Sequence, residues 1–221
     1  LLISFFNVFL WNIFVTSGLD ILDSGRSAVI AYTMPIWVVL LSTFFLKEAL
    51  TLNRFFGILF GASGLILLLK EDFFEIKTSP TGALMVLTGS FSWAIGTILM
   101  KKFPISMPTT VITAWQLLLG GIPLSVGAII FESPHDNLIG IAGYGSLVYN
   151  TVVAMIFCHW AWFKIVSKSP AALAALSTLL IPVVGICSGA IILGERIGWI
   201  DIAAVALVTL GIISIILVKK E

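Results

Sequence analysis

What most restricts this chain is a succession of apolar runs, with nearly every charge confined to the short stretches between them. A helix needs about 20 apolar residues to cross a bilayer. Runs of that kind fall near 1–19, 26–46, 54–69, 80–100, 109–131, 138–163, 171–193 and 199–218. The stretches that join them, such as DILDSGR, KEALTLNR, KKFPISMP and GERIG, are too short to hold a soluble domain. Hydrophobic residues make up 59% of the chain and charged ones 10%, whereas a soluble domain carries about 25% charged residues. Such a chain cannot clothe its surface in water. The expected fold class is all-α integral membrane, with about eight transmembrane helices.

Several function classes drop out. The net charge is +1, and no basic stripe interleaved with aromatics occurs, so no nucleic-acid partner is expected. Cys158 and Cys187 both lie inside apolar runs, and no metal-ligand spacing exists; neither a disulfide framework nor a metal site is expected. The opening run LLISFFNVFLWNIFV has no basic segment before it and reads as a span, not a signal peptide. There is no Gly-x-Ser-x-Gly, no His-Glu-x-x-His and no phosphate loop. The chain therefore reads as a non-enzyme without a cofactor. Lysine and arginine set the expected orientation. With the C-terminus cytoplasmic, Lys47, Arg54, Lys101, Lys102, Lys164, Lys168, Lys219 and Lys220 share that side, eight of the 12 basic residues. Arg26, Lys70, Lys77 and Arg196 face the other.

The runs repeat. An ungapped offset of 147 lays Ala28 on Ala175, Pro35 on Pro182, Leu46 on Leu193, Glu48 on Glu195 and Gly64 on Gly211. The matches fall where helices are punctuated: a proline inside a run, a glutamate at its end, a glycine in the next. The division is thus 1–78 for three spans of a first repeat and 79–221 for five spans of a second. Mapping Gly82 back by the same offset falls about 65 residues ahead of Leu1, room for two further spans. Five spans is an odd number, so the second copy inserts upside down, and inverted repeats place a substrate between the copies near the midplane.

The run SPAALAALSTLLIPVVGICSGAIILGERIGWIDIAAVALVTLGIISIIL resembles the closing segment of the EamA-like family, in the drug/metabolite transporter superfamily. The segment 25–70 is similar to the same part of a first EamA repeat, and GALMVLTGSFSWAIGTILMKK to the opening span of a second. The resemblance implies a ten-helix fold of two inverted five-helix repeats, of which this chain lacks the first two helices. It implies cytoplasmic termini and export of small metabolites through a central cavity.

Pro35 and Pro182 read either as packing kinks or as paired hinges. Glu48 and Glu195 read as interfacial carboxylates, solvated or paired near a helix start. Polar and aromatic groups gather in the spans that the resemblance places around the cavity. The candidates are Asn7, Trp11 and Asn12 in the first run and Tyr32 in the second. Ser90, Trp93 and Thr97 share one face of the fourth. Tyr149, His159 and Trp160 lie in the sixth, with Trp162 nearby, and Ser177 and Thr178 in the seventh. His159 matches Asn12 under the offset and is the one intramembrane side chain of a type that switches near neutral pH when unperturbed. Gly57-x3-Gly61 and Gly185-x3-Gly189 permit close helix approach, within the chain or in a homodimer.

The reading is a secondary transporter in the bacterial inner membrane, exporting or exchanging an amino-acid-like or drug-like metabolite by alternating access. Its partners are the small-molecule substrate and the lipid bilayer. The alternative is a truncated, non-transporting or accessory membrane subunit.

Overall fold

In lipid no water completes an exposed backbone, so apolar runs become helices that satisfy their own N–H and C=O groups. The computed structural model describes residues 1–22, 24–68, 79–131, 140–188, 191 and 198–216. Among these every regular element is helical. We label them α1 (Leu2–Leu19), α2 (Ser24–Ala31), α3 (Met34–Phe45), α4 (Leu52–Leu68), α5 (Pro80–Lys102) and α6 (Thr109–Phe131). Next comes α7, built of the consecutive stretches Ile141–Tyr149, Asn150–Cys158 and His159–Lys168. The last three are α8 (Ala171–Ser177), α9 (Leu180–Ser188) and α10 (Trp199–Ile216). Helices α1, α5, α6 and α7 are long and apolar enough to span a membrane. The charged linkers near Glu71, Glu132 and Glu195, and the tail, lie outside the described residues.

The prolines act as helix starters. The second and seventh runs are each broken by a turn, at Tyr32–Thr33 and at Thr178–Leu179, and each resumes with its proline in the first turn of α3 or α9. There the missing N–H costs nothing, because the first turn has no intrahelical acceptor for it. The carbonyl left over at Ala31, four residues before Pro35, accepts a hydrogen bond of 3.2 Å from Ser90 Oγ on α5. The wide-turned parts of two spans also coincide. Phe5–Leu10 in α1 and Asn150–Cys158 in α7 are wound as π-helix, and the offset of 147 carries the first inside the second.

Small residues set the packing. A Cβ on Gly18 or Gly89 would run into α5 or α1 side chains, and one on Gly96 would collide with Asn7 Oδ1. Helices α1 and α5 are thus antiparallel and close. Helices α4 and α10 do the same through Gly64 and Gly211, whose Cβ would lie 2.9 Å from Gly57 O. Gly57 and Gly61 are therefore covered by this chain's own helices. Gly189, the second glycine of the Gly185-x3-Gly189 pair, lies outside the described residues.

One end of the molecule, called here the Glu48 end, holds Arg54, Lys101 and Lys168 around one shallow depression. Leu1 and Ser214 are at the same end, beside Met107 and Asn53 respectively. Ser24 begins α2 at the opposite end.

Candidate functional site

Between α1, α2, α5, α7 and the broken α8–α9 run lies a cavity of about 380 Å³. Trp11, Tyr32, Trp93, His159, Trp162 and Thr178 form its polar and aromatic lining; Ala28, Ala31, Met34, Ala154, Cys158 and Ile181 complete it. It lies near mid-length of these helices, with Trp11, Trp93 and Ala154 close to the middles of α1, α5 and α7. None of these residues is Asp, Glu, Lys or Arg.

Trp93 is the hub. Its ring meets Trp11 edge-on at 5.0 Å between centroids, His159 at 5.1 Å and Trp162 at 6.5 Å. His159 in turn packs edge-on against Phe163 at 5.0 Å. Trp93 Nε1, Trp162 Nε1 and His159 Nε2 are buried, and none has a hydrogen-bond partner among the described residues. The lining can therefore hold a planar apolar body by ring contact.

The other side chains anticipated for this region sit elsewhere. Asn7 is fully buried against Gly96, with neither amide atom partnered. Asn12 Nδ2 donates to Val8 O at 2.6 Å. Ser90 Oγ lies 3.0 Å from Thr33 Oγ1 and caps the broken run. Thr97 Oγ1 donates to Trp93 O at 3.0 Å, and Ser177 Oγ to Ala174 O at 2.7 Å. Even Thr178, which does line the cavity, donates its hydroxyl to Ala175 O at 2.6 Å. Tyr149 is exposed on the outer face, and Trp160 turns away from the cavity to Phe157. The hydroxyls of Thr97, Ser177 and Thr178 bond back to their own helix because lipid supplies no competing partner. The alanines and Cys158 carried no signal in the sequence: a small side chain marks a cavity wall only when its neighbours are known.

Fold and site together define an all-helical membrane protein with an apolar cavity among its helices. The chain belongs to the EamA-like transporter family, whose model matches residues 1–70 and 80–217. It is 29% identical over 199 residues to the uncharacterized transporter YoaV of Bacillus subtilis, covering 90% of this chain and 68% of that protein. It is 25% identical over 199 residues to a probable amino-acid metabolite efflux pump of Salmonella typhimurium, covering 86% of this chain and 67% of the relative. A solved crystal structure superposes with a TM-score of 0.81 at 19% identity, covering 96% of this chain and 74% of the other; that likeness concerns the fold. This chain spans 63% of the length of a further relative, the uncharacterized transporter sll0355 of Synechocystis.

Proposed function

We propose that this chain is a secondary carrier of the inner (plasma) membrane that moves a small, largely apolar organic metabolite by alternating access. The observation that carries the reading is the cavity of about 380 Å³, lined by rings and free of charged side chains, in a chain of a transporter family. Its size lies within the range of small-molecule sites, about 300–1,000 Å³. In this proposal the eight apolar runs all span the bilayer. Residues 1–78 and 79–221 are parts of two inverted repeats, a division favoured by the matched breaks before Pro35 and Pro182 and by the matched π-wound stretches. The Glu48 end, where Arg54, Lys101 and Lys168 gather, is cytoplasmic. The name of the Salmonella relative makes amino-acid-like metabolites the first substrates to try.

The test has two stages. A thermal-shift screen against a metabolite library supplies a ligand, and proteoliposome uptake of that ligand follows. Trp93→Ala is expected to reduce uptake about tenfold or more, the factor that ~1.4 kcal/mol of lost binding represents. Trp160→Ala, which faces away, is expected to transport at the parental rate. Unchanged uptake in both Trp93→Ala and His159→Ala would remove the cavity as the site.

A further inference from the structure

The cavity stops short of the Glu48 end, and one short helix closes the remaining distance. Helix α8 begins at that end and runs to the turn at Thr178–Leu179 on the cavity floor. Ala171 and Ala175 are buried against Val38, Ala94 and Ile98. Ala172 and Leu176 are buried against Val39, Leu179 and Val208. The plug is held at its outer end by Glu48, remote in sequence, and Lys101 fixes the end of α7 that leads into it. Glu48 accepts the backbone N–H of Ala171 on Oε1 at 2.8 Å and that of Ala172 on Oε2 at 3.3 Å. These N–H groups open a helix and have no intrahelical acceptor. Arg54 Nη1 pairs with Glu48 Oε2 at 3.4 Å. Lys101 Nζ donates to Val166 O at 3.1 Å and to Ser169 O at 2.8 Å, where α7 ends. An anion at a helix start and a cation at a helix end both oppose the local end of the helix dipole.

The backbone beside Glu48 is shaped for this contact. Lys47 has φ 56°, the one positive φ outside glycine among the described residues. A side chain is disfavoured in that region. The turn ends α3 and directs Glu48 across to α8, and Glu48 N donates back to Ser42 O at 3.3 Å.

We propose that α8 is the gate on the Glu48 side of the cavity and that Glu48 and Lys101 are its latch, positioning residues that hold the closed state. This rests on the carrier reading above. Opening on that side pivots α8 at Thr178–Leu179, and Glu48 releases both N–H groups as the plug leaves. Binding at the aromatic lining and closure at the latch are then carried by different residues.

Cysteine labelling tests the latch without a substrate. A Cys158→Ser, Cys187→Ser background carries Ala175→Cys, and a membrane-impermeant maleimide is applied to intact cells and to inside-out vesicles. Glu48→Ala is expected to raise labelling from the Glu48 face about fivefold, the ratio that ~1 kcal/mol represents, with no change from the other face. Glu48→Gln, which keeps size but not charge, is expected to fall between, and Lys101→Met to act like Glu48→Ala. These two variants carry the test if Glu48→Ala is not inserted. Labelling that stays at the parental rate in all inserted variants overturns the latch. So does labelling that rises equally from both faces, which would mean general loosening. The carrier reading is judged separately by uptake in the unsubstituted chain: an intact latch with no uptake of any bound ligand would remove that reading alone.

Discussion

The two halves of the packing around α8 and α9, the open cavity and the contacts between it and the Glu48 end, are filled by different kinds of side chain. In the cavity wall stand Trp11, Tyr32, Trp93 and Trp162, and about 380 Å³ stays open among them. Between the cavity and Glu48 stand alanine, valine, isoleucine and leucine of α3, α5, α8 and α10, buried against one another. Wide rings meeting edge to face leave gaps. Small side chains let backbones approach until none remains. A single pair of helices thus contributes a floor to the open half and a seal to the closed one, and the change falls at the turn before Pro182.

The same substitution in the two halves separates them most sharply. Ala175→Leu overfills the sealed half and is expected to cost about 1–3 kcal/mol, lowering the unfolding midpoint in detergent by several degrees. Ala154→Leu projects into the cavity and is expected to change stability by less than about 0.5 kcal/mol, while uptake falls. Equal destabilisation by both would break the comparison. Glycines give a smaller contrast of the same sort. Gly211→Ala brings a methyl to 2.9 Å from Gly57 O and is expected to cost about 1–2 kcal/mol. Gly121→Ala has nothing within 4 Å and is expected to stabilise by up to about 1 kcal/mol through helix propensity. At the boundary between the halves, Ser90→Ala frees the Ala31 carbonyl and is expected to cost about 1 kcal/mol by thermal unfolding. The smallest effect is at the latch turn: Lys47→Gly is expected to gain a few tenths of a kcal/mol by relieving the positive φ.

The spans were legible because lipid enforces helices wherever the chain is apolar. Pro35 and Pro182 were legible as interruptions, kinks or hinges, and each falls in the first turn of a new helix. Trp93 and His159 stood out as polar or aromatic groups far from span ends. Face could not be read so easily. Trp160 and Trp162 are two residues apart, and only Trp162 turns to the cavity; the π-wound stretch just before them alters the periodicity from which a face is inferred. Glu48 was legible as a boundary residue beside a helix start. The helix start it caps is 123 residues away, at Ala171, and no local pattern announces a partner at that distance. The seal was hidden for a simpler reason. Ala171, Ala172 and Ala175 look like neutral filler until the residues opposite them are placed.

Helix α8 separates the open aromatic cavity from the Glu48 end. Two single-cysteine forms of the otherwise unsubstituted chain, Ala154→Cys and Ala175→Cys in the Cys158→Ser, Cys187→Ser background, test it most directly under maleimide labelling from each membrane face. Ala154→Cys is expected to be labelled from the Ser24 face and Ala175→Cys to be protected from both. Labelling of Ala175→Cys as fast as Ala154→Cys would contradict it.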